Sequence, residues 1–533
     1  MILSESQSSS SFLSVEQAAQ NDWDILIVGS GMGGSAAAYK LAQKGKKVLL
    51  LEKGLLAFGQ SDSVVKEEPD PQKRLNSGRW PTQLTACVDG KRTDVWAPLG
   101  CGVGGSTLLY AAALQRLRPT DFSGRILPDG SEIQWPFDYN EIEPYYKEAE
   151  ELFSVCGTAD PGDDVSQGHL LAPPEMSETD QDLFREFQTA GLHPYRLHTG
   201  IKYKTPCSEC SGHLCLNECK QDAATACIQP ALATGNLFIL QQAEVVKFEA
   251  DEKRVHGVVV SSNGRTLSLS GEKIILSAGA YFSPVILQNS RNDHWPNGLA
   301  NGSDMVGRNL MFHASDFIAV WPKNKCSREG PRKTLAFRDL YELDGKKLGE
   351  FQSTGSTARY GNVVYALRLM FDQSLFRKLS PLRHFLRIPA YIASKVFGDA
   401  TIFATIVEDF PYPENRILVD ESSPSGMRFE YRIHTEFRER VLFFRHAVRK
   451  RLKHLKTLPM ATNITLNYGH PCGTCVAGID PARSVLDANG KAHELDNLYV
   501  VDASFMPTSG GTNPSLTVAA NALRVANKIV ESS

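Results

Sequence analysis

The chain has 533 residues, of which 42% are apolar and 22% charged, and its formal net charge is −3. This length allows more than one domain, and the near-neutral charge gives no electrostatic reason to expect nucleic-acid binding. The sequence contains no uninterrupted apolar run of about 18 residues, which a membrane-spanning helix would need. Residues 1–21 are rich in Ser and Gln, and we expect them to form a disordered arm without a secretory signal.

The most informative stretch is the apolar run Ile25–Val28, which leads directly into closely spaced glycines. A strand, a glycine turn and a helix predicted from Ser35 to Lys44 are typical of a dinucleotide-binding unit, because glycines let backbone N–H groups approach a pyrophosphate. A second predicted strand, Lys47–Leu51, delivers Glu52 about 20 residues later, where it suits a ribose diol. The predicted cofactor contacts of this unit are Gly29, Ser30, Gly31, Met32, Gly33, Gly34, Glu52 and Lys53. The motif alone does not choose between FAD and NAD.

Farther along the chain, glycine turns alternate with strand patterns. A second glycine cluster occupies residues 99–107. Alternating apolar residues predict a small antiparallel meander over Ala243–Ala250, Val255–Ser261 and Leu267–Ser270. The chain closes with an apolar-faced helix predicted over Leu516–Val530.

Taken together, these pieces resemble the glucose-methanol-choline (GMC) family of flavoprotein oxidoreductases. The resemblance covers nearly the whole chain from Asp22, and its pieces are Gly29–Gly34, Gly102–Ser106, Trp135–Tyr146, Gly279–Leu287, Val306–Leu310, His470–Cys475, Asn497–Ser504 and Gly511–Pro514. It implies FAD as the cofactor and a mixed α/β fold, in which a Rossmann-like FAD-binding domain interleaves with a substrate domain built on an antiparallel sheet plus helices. Residues 22–311, with a Cys-rich loop at 205–222, would mainly form the FAD-binding domain. Residues 312–455 would mainly form the substrate domain, and residues 456–533 would return to the FAD-binding domain.

The resemblance also implies how the flavin is held. The backbone N–H groups of Val103–Thr107, within the second glycine cluster, would lie beside the isoalloxazine ring. Val245 would lie at the adenine, Asp502 at the pyrophosphate and Asn513 at the pyrimidine end. The remaining implied contacts are Gly102, Val103, Gly104, Gly105, Ser106, Ala278, Ala503 and Pro514. Some relatives tether the flavin through a histidine just after this cluster, but residues 106–112 contain none, so we expect non-covalent FAD.

His470 and Asn513 are the expected catalytic pair, since they stand where the family carries its active-site histidine and a later His or Asn. A histidine suits the removal of a hydroxyl proton, because its unperturbed pKa of about 6.5 lies near working pH. We expect His313 and His434 to be packed or surface groups. We expect Glu408 to be a surface or capping acid, with a role in ordering the active site as the alternative. The leading reading is an FAD-dependent dehydrogenase of alcohols or sugars. The alternatives are an oxidase that forms hydrogen peroxide, a lyase or decarboxylase on the same fold, and a non-enzymatic metal-binding module.

Four cysteines crowd into thirteen residues: Cys207, Cys210, Cys215 and Cys219. Thiolates select iron–sulfur clusters or zinc, so this spacing predicts a metal site, with free or disulfide-bonded thiols as the alternative. Some members of the family carry a three-iron cluster here, and the Cys215–Cys219 spacing matches their pattern, whereas Cys210 is one residue too close. A cluster would pass electrons to a cytochrome or a quinone. A cytoplasmic location is the default for such a chain.

The stretch between Asp372 and Asp399 contains no acidic residue. Its basic residues alternate with apolar and aromatic ones; they are Arg377, Lys378, Arg383, Arg387 and Lys395. Such a basic amphipathic stretch suits an anionic membrane surface or an electron-accepting partner. The alternative is a pair of ordinary surface helices over the substrate domain.

Overall fold

The structure, a computed structural model, describes residues 11–56, 68–127, 130–163, 169–205, 207, 209–324, 326–355, 364, 367, 371, 385–460 and 463–532. Within these ranges the α-helices are Val15–Ala19, Met32–Gln43, Pro71–Asn76, Tyr139–Leu152, Glu178–Thr189, Gln229–Leu232, Gly279–Asn289, Arg387–Val396, Thr435–Arg451 and Ser515–Glu531. Short 3₁₀ helices lie at Gly105–Leu108, Pro119–Asp121 and Ala503–Phe505, and a π-helical turn lies at Ala224–Ile228. None of the helices in these ranges is long and apolar enough to cross a bilayer.

A five-stranded parallel sheet forms the centre of the first core. Its strands, in spatial order, are Leu498–Val500, Lys273–Leu276, Ile25–Val28, Val48–Leu51 and Leu237–Leu240. Nearly all of these residues are buried, as expected for parallel strands that are covered on both faces. The helix Met32–Gln43 packs against the C-terminal helix Ser515–Glu531, which also contacts Tyr139–Leu152. The C-terminal helix is buried almost all round, so it lies inside the core.

The predicted meander is confirmed as an antiparallel three-stranded sheet. Its strands are Glu244–Ala250, Val255–Ser262 and Arg265–Leu269. The N-terminal arm differs from the expectation in the part that the structure describes. Val15–Ala19 forms a helix with a capping box between Ser14 and Gln17, and the backbone of Leu13 donates to the carbonyl of Ile239. Residues 1–10 lie outside the described residues.

A second core surrounds two further sheets. The strands of the antiparallel six-stranded sheet, in spatial order, are Thr457–Pro459, Phe317–Val320, Thr401–Val407, Gly349–Ser353, Leu335–Phe337 and Tyr195–Arg196. The strands of the four-stranded sheet are Arg416–Val419, Met427–Tyr431, Leu84–Val88 and Lys91–Val95. Two small hairpins pair Arg125–Ile126 with Glu132–Ile133, and Glu342–Leu343 with Lys346–Lys347.

Strand pairing in this second core crosses the predicted domain boundaries. Leu84–Val88 and Tyr195–Arg196 come from the segment assigned to FAD binding, yet they pair with strands from 312–455. Thr457–Pro459, beyond residue 455, completes one edge of the six-stranded sheet. The two parts of the molecule are therefore interleaved more finely than the three predicted segments.

Candidate active site

Predicted cofactor contacts gather at the carboxyl edge of the parallel sheet. Gly29, Glu52, Ala278 and Asp502 each follow a different strand of that sheet. In open α/β sheets, ligands bind in the crevice outside the carboxyl ends of the strands. The structure therefore brings together residues that are separated by up to 473 positions along the chain.

The first glycine turn packs so closely that side chains are excluded at three of its four glycines. A Cβ atom at Gly29, whose φ is +92°, would lie 2.4 Å from the carbonyl oxygen of Ser277. At Gly33 it would lie 2.1 Å from the carbonyl oxygen of Val501, and at Gly34 it would lie 2.0 Å from that of Gly29. Gly31 differs, because a Cβ there would meet nothing within 4 Å. Gly31 thus faces open space at the N-terminus of the helix Met32–Gln43, where a pyrophosphate would be favoured.

Ser30 links the two glycine clusters. Its hydroxyl donates to the buried carboxylate of Glu52 and accepts from the backbone N–H of Gly104 at 3.0 Å. The second cluster also lies against the first, since a Cβ at Gly105 would be 2.6 Å from the Cα of Gly31. Burial raises the pKa of Glu52, although hydrogen bonds from Ser30 and the N–H of Gly54 oppose that shift.

The other predicted flavin contacts surround the same edge. Asp502 accepts from the N–H of Gly279 at 2.9 Å and from Ser504, and burial raises the pKa of its carboxyl. The remaining positions are buried Met32, Gly102, Val103, Val245 and Pro514, half-buried Ala278 and Ala503, and exposed Ser106. Pro514 is the N-cap of the C-terminal helix, so the positive end of that helix dipole points at this site. Lys53 instead reaches Glu244 at 2.7 Å and the face of the Trp80 ring.

These features fit FAD. The open space in front of Gly31, two helix N-termini at the sheet edge, and a buried acid after the second strand are what a dinucleotide requires. Tyr110, which follows the second glycine cluster, donates from its hydroxyl to the carbonyl of Gln221. Gly29–Gly34 and Glu52 would hold the dinucleotide end, and Val103–Ser106 with Asn513 would lie toward the ring.

His470 and His313 form a hydrogen-bonded pair, which the sequence did not predict for His313. Their Nδ1 atoms are 3.0 Å apart, and the Nε2 of fully buried His313 is 2.9 Å from the carbonyl oxygen of Gly510. A carbonyl only accepts, so Nε2 of His313 carries the hydrogen and its Nδ1 is an acceptor when the ring is neutral. His470 must then donate from Nδ1, which leaves a lone pair on its Nε2. In the described part of the chain, no hydrogen bond involves that Nε2.

Both histidines are neutral at ordinary pH. Burial lowers the pKa of His313 to about 4. Desolvation lowers the pKa of His470 well below its usual value, and unfavourable electrostatic interactions of a protonated His470 ring with His313 and Lys333 lower it further. Lys333 is itself buried, and burial lowers its pKa to about 7. The signal that could have identified His313 is its position three residues after Leu310 in the motif already assigned to the family.

Asn513 belongs to a buried polar network rather than to a direct pair with His470. Its amide nitrogen donates to the side-chain carbonyls of Gln115 at 3.2 Å and Gln352 at 3.0 Å. The neighbouring Thr512 donates to Glu350 at 2.7 Å. Both amide hydrogens of Asn513 are therefore used inside the protein, and its Oδ1 is the atom left for a ligand. No hydrogen bond joins Asn513 to His470 among the residues that the structure describes.

The expectation for Glu408 is wrong, because this residue is fully buried. It pairs with Arg125 at 3.0 Å through one carboxylate oxygen, while the other has no hydrogen-bond partner within the described ranges. Its neighbour Asp409 accepts from the N–H of Phe312 and from the Tyr431 hydroxyl, and burial raises the pKa of Asp409 to about 7. Asp409 therefore contacts the backbone directly before His313. The sequence around Glu408 and Asp409 did not indicate that these two acids are buried.

The four cysteines of the Cys-rich loop lie as two thiol pairs. Cys210 hydrogen-bonds to Cys215, and this bond lowers the pKa of Cys215 below its ordinary value and raises that of Cys210. Cys207 contacts Cys219, and burial raises the pKa of Cys207 to about 11. All eleven cysteines of the chain are free thiols.

The structure does not support the predicted metal site at Cys207, Cys210, Cys215 and Cys219. Over the described ranges, no group of three or more His, Cys, Asp or Glu side chains is arranged to hold a metal ion. An iron–sulfur cluster or a zinc ion needs such a group, because several thiolate ligands together set the charge and the geometry of these centres. The two thiol pairs agree instead with the alternative of free thiols.

One lysine anchors the Cys-rich loop to the second glycine cluster. The ammonium of buried Lys220 donates to the carbonyls of Leu108 at 2.7 Å, Cys210 at 2.9 Å and His213 at 2.7 Å. Burial lowers the pKa of Lys220 to about 8. The loop also receives a hydrogen bond from Arg79 to the carbonyl of Gly212 at 2.7 Å. The thiols therefore lie next to the segment expected beside the flavin ring.

Comparisons with known proteins agree with this geometry. The chain is 27% identical to 6'''-hydroxyparomomycin C oxidase of Streptomyces lividus, over 96% of this chain and 92% of that protein. It is 25% identical to 2-methyl-1,2-propanediol dehydrogenase of Mycolicibacterium austroafricanum, over 95% of each. A solved FAD-dependent oxidoreductase from Chaetomium thermophilum shares the fold, with a TM-score of 0.64, 15% identity, and coverage of 96% of this chain and 99% of that one.

Family models lead to the same assignment. The N-terminal model of the GMC oxidoreductases matches residues 23–315, and the C-terminal model matches residues 411–522. Membership of this family implies FAD as the cofactor. The chain therefore belongs to the GMC oxidoreductase family.

Proposed function

We propose that this enzyme oxidises a hydroxyl group of an alcohol or sugar, with His470 as the base. Bound FAD supplies the acceptor for the hydrogen that leaves carbon as hydride. The hydroxyl proton goes to Nε2 of His470. The observation that carries this proposal is the hydrogen-bond chain from Gly510 through His313, which holds the His470 ring and leaves its Nε2 unprotonated.

Desolvation supports the same role. A histidine whose pKa is well below its usual value stays neutral at ordinary pH, so the base is ready before substrate arrives. When Nε2 gains a proton, the carbonyl of Gly510 still accepts from His313, so the new charge is shared with a chain of fixed polar groups. This arrangement positions the ring and leaves the chemistry to one nitrogen.

Asn513 would accept a hydrogen bond from a second hydroxyl of the substrate through Oδ1. The side-chain oxygens of Gln115 and Gln352 accept both amide hydrogens of Asn513, so they position this residue and leave its Oδ1 for that role. A substrate with two or more hydroxyl groups would use both the base and this second acceptor. The name of the relative 6'''-hydroxyparomomycin C oxidase, which points to a sugar-containing substrate, supports this choice.

Two candidate functions differ in their electron acceptor. The first is a dehydrogenase that uses an acceptor other than oxygen, as the name of the relative 2-methyl-1,2-propanediol dehydrogenase suggests. The second is an oxidase that passes electrons to oxygen. The name of the relative 6'''-hydroxyparomomycin C oxidase favours the oxidase.

The decisive experiment is anaerobic mixing with a panel of alcohols and sugars while flavin absorbance is followed. We expect at least one polyol to bleach the flavin, and we expect His470→Ala to slow bleaching by about 10²–10⁴-fold, the usual contribution of a general base. His294→Ala is the matched control, because His294 is exposed and remote from this chemistry. A His470→Ala rate within about threefold of wild type would remove His470 as the base.

Two further measurements complete the assignment. Admitting air to the reduced enzyme and measuring hydrogen peroxide distinguishes the oxidase from a dehydrogenase, which would instead reduce a quinone or cytochrome c. Acid precipitation should release the flavin into the supernatant, because residues 106–112, at the usual tether position, contain no histidine. Flavin that stays with the precipitate would contradict the non-covalent mode.

A further inference from the structure

The helix Arg387–Val396 displays an apolar face to solvent. Ile388 is 62% exposed, and Tyr391 and Ile392 are each 58% exposed. Phe385, just before the helix, is 64% exposed. Spacings of three and four residues place these side chains on one side of a helix, while Ala390 on another side is buried.

Ile126 and Leu442 differ from this group because they lie singly, and isolated exposed apolar side chains are normal on protein surfaces. Phe317, Leu458 and Met460 lie together on or next to two paired strands, but each of them is only 40–44% exposed. Four within eight residues form a contiguous stripe, which marks an interaction site.

The charges on this helix have one sign. Arg387 and Lys395 are exposed on the same helix, and the ammonium of Lys395 lies 5.7 Å from the centre of the Tyr391 ring. No Asp or Glu occurs between Asp372 and Asp399, although the whole chain is slightly acidic. Arg377, Lys378 and Arg383 lie outside the described residues. The partner of this face should therefore be anionic.

We propose that this helix is a peripheral membrane-binding surface, which lies in the headgroup layer of an anionic bilayer with Ile388, Tyr391 and Ile392 facing the acyl chains. Interfacial helices combine a narrow apolar face with flanking Lys and Arg and low overall hydrophobicity. Their cations extend toward lipid phosphates while their aliphatic stems cover the boundary. The helix has ten residues, so it lies on the surface and does not span the bilayer.

The charges exclude a second copy of this chain as the occupant. A twofold interface would bring Arg387 and Lys395 against the same cations of the other copy, with no acid on the helix to neutralise them. An acidic protein is a weaker match than lipid, because the stripe is a convex helix side with aliphatic residues at its centre rather than a pocket. A planar, anionic, acyl-bearing surface satisfies both parts of the face.

The test is cosedimentation of the full-length FAD-loaded enzyme with vesicles of phosphatidylcholine, either alone or mixed with phosphatidylglycerol. We expect binding to the mixed vesicles that weakens with added salt, because exposed charges are screened. We expect the neutral vesicles to retain little protein. Equal binding to both kinds of vesicle, or no binding to either, would overturn the proposal.

Variants separate the apolar contribution from the charge. Ile388→Ser combined with Ile392→Ser should lower the partition coefficient about 100-fold, since each buried Ile contributes roughly tenfold. Lys395→Glu should lower it by at least about fivefold. Leu442→Ser is the matched control, because Leu442 is a single exposed apolar residue, 52% exposed, on another basic helix.

Flavin absorbance and thermal unfolding should match wild type in all these variants, because the altered side chains are exposed. Two outcomes would point to other occupants and overturn the proposal. One is a concentration-dependent dimer that the double Ser variant abolishes, which would identify a second copy. The other is salt-sensitive binding to soluble polyaspartate without vesicle binding, which would identify an acidic protein.

Discussion

The glycine turn at Gly29–Gly34 and the Cys-rich loop at 205–222 are two loops beside the same predicted flavin site, but they are held in different ways. At Gly29, Gly33 and Gly34 of the glycine turn, backbone atoms approach within distances that no Cβ tolerates, so these three positions must be glycine whether or not a ligand is present. In the Cys-rich loop, one buried lysine and a few backbone bonds hold the chain. Close steric contact determines the residue type at individual positions of the glycine turn. Hydrogen bonds to the backbone of the Cys-rich loop do not determine what the neighbouring thiols bind.

Two glycine substitutions should show the largest effect and test the first half of this comparison. Gly33→Ala places a Cβ 2.1 Å from the carbonyl oxygen of Val501, so we expect a loss of at least about 3 kcal/mol in the free energy of unfolding. Gly31→Ala meets open space at φ −67°, so we expect a stable apoprotein whose Kd for FAD rises about tenfold or more. Thermal unfolding and FAD titration measure the two effects. Normal FAD affinity in Gly31→Ala would show that the open space is not the pyrophosphate cradle.

His313→Ala should produce the next largest effect, because it removes the acceptor that fixes the His470 tautomer. We expect flavin reduction to slow by about tenfold to 100-fold, less than for His470→Ala. His313→Gln, which keeps a side-chain acceptor, should recover part of that loss. Stopped-flow reduction by substrate measures both rates. Equal rates for His313→Ala and wild type would mean that His313 only packs against the ring.

The pH profile gives a smaller but independent test of the same pair. A base is active when it is deprotonated, and the folded-state pKa of His470 lies well below its usual value. The rate of flavin reduction should therefore stay level as pH falls through about 6.5 and should decline only at more acidic pH. In His313→Ala the decline should move toward higher pH, since one cause of the lowered pKa is gone. If the rate of the wild-type enzyme fell to half at about pH 6.5, the assigned environment of His470 would be contradicted.

Thiol labelling should show the smallest effect and tests the second half of the comparison. The hydrogen bond from Cys210 lowers the pKa of Cys215, whereas burial raises that of Cys207 to about 11. Between about pH 6 and about pH 8, iodoacetamide should therefore modify Cys215 faster than Cys207, with a weaker pH dependence. Peptide mass spectrometry after brief labelling gives both rates, and Cys215→Ser is the control. Equal rates, or one bound iron or zinc per chain that protects all four thiols, would contradict the pairing.

Local sequence patterns were sufficient for the parts of the site that depend on adjacent residues. Ile25–Val28 with its glycines, and Glu52 after the next strand, are specified within one short unit, and the structure brings both to the same edge. His313 and Gln115 could not be predicted in the same way, because their importance comes from contacts with His470 and Asn513 across 157 and 398 positions. Glu408 shows the converse limit, since a charged residue in an apolar run gave no sign that Arg125 would neutralise it in the interior.

Metal ligation shows a third limit. The spacing of Cys207, Cys210, Cys215 and Cys219 suits a cluster, but spacing fixes only which thiols are near one another. Whether three or four converge on one point depends on the path of the loop, and that path is set by Lys220 and Arg79 from outside the motif. The sequence therefore predicted the neighbourhood of the thiols and not their arrangement.

The attachment of Lys220 also bears on how this enzyme could be re-engineered. Its ammonium joins carbonyls on both sides of the boundary between the Cys-rich loop and the segment Gly105–Tyr110. A loop grafted from a relative without an equivalent lysine would leave the Leu108 and Tyr110 carbonyls without this donor, beside the expected ring of the flavin. Chimeras should therefore exchange residues 205–222 together with Gly105–Tyr110 as one cassette.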